Sequence, residues 1–167
     1  MSKDRSKDRG QDDARNDIGR SLGRASADYL LRSLNLIRKA SDGNLLDALI
    51  CLAVVRGNLA QFQGDDEFER TYGAIDTVPP DAVRRPVTIR GLADFLDFPY
   101  ETVRRNVSRL TEKGVLQRRA GGYIVPIEVA RLEVWNEIIR TNTINVERLV
   151  RVYHRLLEDK PVPAPTE

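Results

Sequence analysis

Residues 85–126 read RPVTIRGLADFLDFPYETVRRNVSRLTEKGVLQRRAGGYIVP. Thr88 is suited to cap a helix that starts here, because its hydroxyl can accept hydrogen bonds from the free amide groups of the first turn. The apolar residues that follow recur at three- and four-residue spacing and so share one helix face: Ile89, Leu92, Ala93 and Leu96. The pattern predicts a short amphipathic helix that ends in a turn at Asp97 and Phe98.

A second helix and a hairpin are predicted directly after this turn. Pro99 is expected to start the helix, where a missing amide hydrogen costs nothing. Its apolar residues fall at i, i+4 and i+7 and predict a buried stripe: Val103, Val107 and Leu110. Gly114 suits the left-handed position that ends a helix. Residues 115–119 and 123–125 then predict two strands joined by the tight turn 120–122.

The exposed face of the second helix is polar and basic. Two helices around a turn, followed by a hairpin, are typical of a winged helix-turn-helix, which places its second helix in the DNA major groove. Arg104 and Arg105 are the candidates for guanine contacts, because arginine can bridge O6 and N7. Arg118 and Arg119 stand just before the hairpin tip, where a wing meets the DNA backbone. The predicted DNA-binding residues are Tyr100, Glu101, Thr102, Arg104, Arg105, Ser108, Arg109, Arg118 and Arg119.

The same stretch resembles the winged-helix transcriptional regulators of bacteria, of the MarR and IclR type. The matching residues are Leu92-Ala93, Leu96, Thr102-Val103, Arg105, Val107, Leu110, Lys113-Gly114, Leu116, Arg118 and Gly122-Tyr123. They span about forty of the 167 residues. The chain departs from the pattern at Gly91, where a polar helix former is usual, and in its wing, which lacks the acidic and arginine-rich sequence typical of MarR proteins. The resemblance implies a bacterial regulator.

Charge is distributed unevenly along the chain. The net charge is only +2, but residues 84–119 contain nine basic and four acidic residues and therefore carry +5, which leaves −3 for the rest. A basic segment on a mildly acidic protein indicates polyanion binding. A solvated helix face is the alternative interpretation of the same charges.

Little in the sequence indicates catalysis. Cys51 is the only cysteine, so an intrachain disulfide and a cysteine-cluster metal site are excluded, and we expect a small buried residue there. His154 is the only histidine, and the sequence contains no nucleophile elbow, phosphate loop or metal-ligand spacing. We therefore expect no enzyme activity, no cofactor and no metal. The polar residues 1–24 and the lack of a long apolar run predict a cytoplasmic protein without a membrane partner.

A heptad spacing marks the C-terminal region. Its members predict a homodimer interface: Leu132, Trp135, Ile139, Val146, Leu149, Tyr153 and Leu156. Asn142 is the polar member of the seam, and residues 141–143 are either part of one continuous helix or a break between two helices.

The expected fold is mainly α with a small β-hairpin wing, in which a winged helix-turn-helix is flanked by N- and C-terminal dimerisation helices. Residues 63–84 are either an effector-sensing loop or a linker, and nothing in the sequence indicates a small-molecule effector. The predicted segments are a disordered charged tail (1–25), N-terminal helices of the core and dimer interface (26–62), a connecting loop (63–84), the winged helix-turn-helix (85–126), the dimerisation helix or helices (127–159) and a disordered end (160–167).

These features predict a homodimeric, sequence-specific transcriptional regulator whose partners are double-stranded DNA and a second copy of itself. The alternative is a winged-helix protein-interaction or assembly module, for example in replication or chromosome segregation. Three arginines on the predicted recognition helix argue against that alternative.

Overall fold

The computed structural model describes residues 4–158, with side chains from residue 18 onward. The described chain is mainly helical and contains one two-stranded antiparallel sheet. It divides into two compact units: residues 36–140, and a two-helix unit of residues 4–35 and 141–158. The elements are α1 (Asp4–Ala40), α2 (Leu45–Asn58), α3 (Asp66–Tyr72), α4 (Ile89–Leu96), α5 (Tyr100–Glu112), β1 (Gln117–Arg119), β2 (Gly122–Ile124), α6 (Ile127–Ala130) and α7 (Glu133–Glu158).

Helix α2 forms the centre of the 36–140 unit. Asn44 caps it by accepting a hydrogen bond from the Asp47 amide at 3.2 Å. The helix is apolar around most of its circumference and packs against α4, α5 and β2. Ile50 and Val54 are fully buried, and Val103 and Val107 of α5 complete the core. The predicted buried stripe of the second helix is confirmed.

Local signals around α4 and α5 act as the sequence predicts. The Thr88 hydroxyl accepts from the Gly91 amide at 3.0 Å. Asp97 takes a left-handed conformation (φ 54°) at the turn, which short polar side chains tolerate. Pro99 was predicted to be the first residue of α5, but it is the N-cap, so the helix begins one residue later, at Tyr100. Gly114 is left-handed (φ 72°), and amides beyond the helix donate back to the Thr111 and Leu110 carbonyls in a Schellman arrangement.

The hairpin is tighter than the sequence predicted. Gln117 pairs with Ile124, and Arg119 pairs with Gly122, so the turn is the two residues Ala120 and Gly121. A third segment joins the sheet at one point, because Val87 and Tyr123 exchange both backbone hydrogen bonds. A Cβ atom on Gly122 would lie 2.2 Å from the Val87 oxygen, so this close approach requires glycine.

Asn58 links α2 to the sheet, and sequence patterns did not identify it. Its side chain is fully buried. The amide nitrogen donates to the carbonyls of Arg85 (2.9 Å) and Tyr123 (3.1 Å), and the amide oxygen accepts from the Val125 amide (3.0 Å). The only signal in the sequence was a polar residue at the end of an apolar helix. A polar residue at that position can equally be exposed to solvent, so the signal does not show that Asn58 joins the helix to the sheet.

The 63–84 connection contains ordered structure. Asp65 caps α3 by accepting from the Glu67 and Phe68 amides, and a 3-10 turn covers Asp81–Val83. Arg84 was counted as part of a basic surface, but the structure buries its side chain, which donates to the Pro79 carbonyl at 2.9 Å. Burial lowers the pKa of the Arg84 guanidinium, and the neighbouring Asp81 carboxylate partly offsets that shift.

The two-helix unit pairs α1 with the C-terminal part of α7. Ser33 donates to the Asn142 side-chain oxygen at 2.8 Å. A narrow cleft is lined by Ala25 and Tyr29 from α1 and by Leu149 and Val152 from α7, so the two helices run antiparallel. Helix α7 is continuous through Asn142, which decides between the two alternatives left open by the sequence.

The backbone of α1 is helical from Asp4, where a disordered tail (1–25) was predicted from low apolar content. Farther along the same helix, Leu30 and Leu34 are both exposed. The predicted disordered end (160–167) lies outside the described residues, and within residues 4–158 no helix is long and apolar enough to cross a membrane.

Candidate nucleic-acid interface

The outer face of α5 presents the two arginines proposed for base reading. Arg104 and Arg105 are both exposed. Arg104 pairs with Glu101 one turn earlier, at 2.8 Å. Arg105 has no hydrogen-bond or ion-pair partner among the residues whose side chains are described. Thr102 and Ser108 are half-buried beside them. The predicted polar face of α5 therefore exists, and Arg105 is its free cation.

Arg109 is held inside the 36–140 unit. Its guanidinium pairs with both carboxylate oxygens of Asp47 and contacts the Asn106 side-chain oxygen. Asp47 is buried and Arg109 is partly exposed. Because this pair connects α5 to α2, Arg109 has a structural partner that the helix pattern alone did not indicate. Its predicted role in DNA binding would require that pair to be shared or broken.

A shallow cleft of about 360 Å³ separates the start of α4 and α5 from the hairpin. Arg90, Arg118 and Arg119 all line it, together with Tyr100. The Arg90 guanidinium lies 5.5 Å from the centre of the Tyr100 ring, a cation–π distance. Arg90 lies in the basic segment 84–119 but is not among the residues predicted to bind DNA. Its basic side chain in the first turn of α4 was the only signal.

The two hairpin arginines differ in their surroundings. Arg118 is exposed and has no ion-pair partner among residues 18–158. Arg119 donates to Asp81 at 3.2 Å. Asp81 also accepts from the Ile127 amide at 2.8 Å and lies 3.5 Å from Arg84. One carboxylate therefore ties the hairpin to the 63–84 connection. The sequence did not predict these contacts, because the partners of Asp81 lie 3 to 46 residues away.

The residues predicted for a dimer interface fall into two groups. Leu132, Ile139 and Val146 are exposed. Leu149, Tyr153 and Leu156 are half-buried in the two-helix unit, and Trp135 is half-buried in the 36–140 unit. Part of the heptad seam is therefore used within the chain.

Cys51 does not contribute a reactive group. Its side chain is buried in the core beside Asp47. Burial first, and the Asp47 charge second, raise the pKa of the Cys51 thiol to about 12. The thiol is therefore neutral over the usual range of pH, as expected for a packing residue.

The arrangement as a whole is a set of exposed cations on α4, α5 and the hairpin, of which Arg90, Arg118 and Arg119 line one cleft with the Tyr100 ring. Arg90, Arg104, Arg105, Arg118 and Arg119 are all exposed within it. Such a surface suits the phosphates and base edges of a nucleic acid better than a small neutral ligand. No protein-family model matches this chain, and no curated protein and no solved structure is significantly similar to it.

Proposed function

We propose that this protein is a homodimeric DNA-binding transcriptional regulator built on a winged helix-turn-helix. In this proposal α4, the turn at residues 97–99 and α5 are the helix-turn-helix, and β1 with β2 is the wing. The order of these elements, with α5 packed on α2 and its polar face outward, supports the assignment.

The observation that carries the proposal is the pair of unpartnered, exposed arginines on separate elements. Arg105 lies on α5 and Arg118 lies on the hairpin, and neither has an acidic partner among the described side chains. Unpaired guanidinium groups keep their full charge for phosphates or guanine edges. Arginines that serve only solubility need no aromatic neighbour, whereas here Arg90 and Tyr100 line the cleft between the helices and the hairpin.

Roles follow from position. Arg105 is the first candidate for a guanine contact, and Arg104 becomes available when Glu101 releases it or contacts a cytosine amino group. Arg118 and Arg90 hold phosphates, and Arg119 does so in competition with Asp81. Arg109 is omitted from the contact set, because its pairing with Asp47 makes it a structural residue.

The proposed dimer uses a face of the two-helix unit. On α1, Leu30 and Leu34 each come one position after a residue that faces α7. On α7, Val146, Val150 and Leu157 each come one position after a residue that faces α1. Because the helices run antiparallel, both stripes fall on one side of the pair. A second copy packed on this side would complete a four-helix bundle. Val146 is the member of this stripe that the heptad pattern also predicted.

A second candidate function is a protein-interaction module. The observation in its favour is the exposed aromatic pair Phe95 and Phe98 at the end of α4. Phe95 is partly covered by the Arg56 guanidinium, whose carbon lies 4.9 Å from the ring centre. Neighbouring exposed aromatic rings are more typical of a protein-binding surface than of a DNA-binding one.

Selection of bound sequences from random duplexes tests the first function against the second. We expect a two-fold symmetric motif with half-sites about 10 bp, or a multiple of that, apart. Arg105→Ala should lose affinity for the selected site, while Arg131→Ala, which removes the exposed arginine directly after α6, should bind as the unmodified protein does. Phe95→Ser should leave DNA binding unchanged. No enrichment, together with unchanged residual binding in Arg105→Ala, would contradict the DNA-binding proposal.

A further inference from the structure

A cavity of about 350 Å³ lies in the 36–140 unit, away from the basic cleft. Its wall is formed by α3, the segment 73–79, the end of α2 and the first turns of α7. The lining is mostly apolar and includes three aromatic rings, those of Phe68, Tyr72 and Trp135. The Phe68 ring also stacks on Phe62, with ring centres 4.1 Å apart. A space of this size and character is at the lower end of small-molecule sites.

One cationic side chain lies in this apolar wall. Arg84 lines the cavity, and its side chain is only 2% exposed. One terminal nitrogen donates to the Pro79 carbonyl at 2.9 Å. The Nε atom is buried and has no hydrogen-bond acceptor among the described residues. A buried N–H group without an acceptor is uncommon, and it is most costly when the group is charged.

The nearest counter-ion of Arg84 is committed elsewhere. Asp81 Oδ1 lies 3.5 Å from Nε, beyond good hydrogen-bond distance, and accepts instead from the Ile127 amide at 2.8 Å. Its other oxygen accepts from Arg119. The Arg84 guanidinium is therefore incompletely neutralised in a low-dielectric environment, where a matching anion would be bound strongly.

We propose that this cavity binds a small amphipathic monocarboxylic acid, with its carboxylate on Arg84 and its apolar body among Phe68, Tyr72 and Trp135. The volume suits a ligand with on the order of ten to fifteen non-hydrogen atoms. Glu69 also lines the cavity but is exposed, so water screens its repulsion of a single negative charge. The site does not depend on DNA binding by the protein.

Trp135 gives a direct signal, since it is the only tryptophan in the chain. Fluorescence titrations would compare phenylacetate and octanoate with phenylacetamide, the neutral analogue of the first. We expect at least one acid to produce a saturable change and phenylacetamide to bind at least about tenfold more weakly than phenylacetate, or not at all. Equal binding of phenylacetate and phenylacetamide would show that Arg84 does not recognise the carboxylate. No saturable change with either acid up to about 10 mM would show that the cavity is not a site for this class.

Variants assign the signal to this cavity, because Trp135 also lines a second apolar cavity beside Cys51. Arg84→Met should abolish the preference for the acid over the amide.

Ala74→Phe is the second variant, to be used if circular dichroism shows that Arg84→Met fails to fold. Ala74 lines this cavity but not the one beside Cys51, and it is exposed in the 73–79 segment. Folded Ala74→Phe should lose at least about tenfold in affinity for the acid. Arg131→Met, an exposed arginine outside the cavity, should bind as the unmodified protein does; wild-type affinity in folded Ala74→Phe would overturn the proposal.

Discussion

Asn58 is a fully buried polar residue of the 36–140 unit whose side chain makes three hydrogen bonds. Its three side-chain hydrogen bonds join α2 to the Arg85, Tyr123 and Val125 backbone, and the Arg85 amide also donates to the Asn58 backbone carbonyl at 2.9 Å. Backbone groups buried without a partner cost about 1–3 kcal/mol each. The residue therefore holds the sheet, and with it the basic hairpin, against the core.

Replacing Asn58 tests this role. We expect Asn58→Ala to lower the free energy of unfolding by about 3 kcal/mol, because the Arg85 carbonyl, the Tyr123 carbonyl and the Val125 amide each lose one hydrogen bond. Asn58→Asp should also destabilise, since a carboxylate faces the Arg85 and Tyr123 carbonyls where the amide donated. Urea unfolding followed by circular dichroism measures both. Gln63→Ala, at an exposed position, is the control, and an equally small loss in all three would contradict the assignment.

Cys51 gives a prediction about reactivity. A folded-state pKa of about 12 leaves on the order of 10⁻⁴ of the thiol ionised at pH 8. Since that pKa is raised, the stabilising contribution of the neutral thiol is complete below the ordinary value of 9.0 and is lost as the pH rises towards 12. We expect no labelling by a thiol reagent at pH 8 in the native protein and complete labelling in urea. Rapid stoichiometric labelling under native conditions would show that Cys51 is accessible.

At the scale of elements, the hairpin depends on a glycine. Gly121 and Gly122 both have positive φ, but a Cβ on Gly121 meets nothing within 4 Å, whereas one on Gly122 meets the Val87 backbone. We expect Gly121→Ala to cost about 1 kcal/mol through its backbone conformation alone. Gly122→Ala should cost at least twice as much, because it also breaks the Val87–Tyr123 pairing. Thermal unfolding compares the two variants, and equal losses would contradict the close approach.

The recognition helix and the wing should contribute to DNA binding in different ways. Arg105→Ala should cost about 1–3 kcal/mol on a selected site and relax preference at one base pair, because α5 faces the base edges in the proposed complex. Arg118→Ala should weaken binding to all duplexes and flatten the slope of log affinity against log salt by about one unit. Fluorescence anisotropy at several salt concentrations separates the two effects. Equal, sequence-independent losses would show that α5 holds DNA without reading it.

For the whole molecule, oligomeric state decides how the proposed half-sites are spaced. Leu30→Glu combined with Val150→Glu should give monomers that keep their helical content, because both residues are exposed and their loss leaves the α1–α7 contacts intact. Leu31→Glu, on a different side of α1 and 69% exposed, should leave the dimer unchanged. Light scattering after size-exclusion chromatography measures the mass. An unmodified protein that is monomeric at micromolar concentration would remove the dimer from the proposal.

The apolar periodicity of the sequence, together with its capping and turn residues, by itself determined the local elements. Thr88, Asn44 and Gly114 act through neighbours within a few residues, so their roles follow from short-range geometry. The buried stripe of α5 follows from helical spacing in the same way. These features predict a mainly helical chain with one hairpin, and the structure confirms that composition of elements.

Only the tertiary structure decided which polar residues are partners and which are free. Asp47 pairs with Arg109, which is 62 residues away in the sequence, and the Asn58 side chain bonds to Val125, which is 67 residues away. Sequence spacing therefore does not predict either contact. The same holds for Arg84, which charge counting placed on the surface and packing placed inside. The heptad spacing of α7 is present in the sequence, but α1 of the same chain covers part of it. An apolar stripe predicts that a helix face is buried and does not predict which element covers that face.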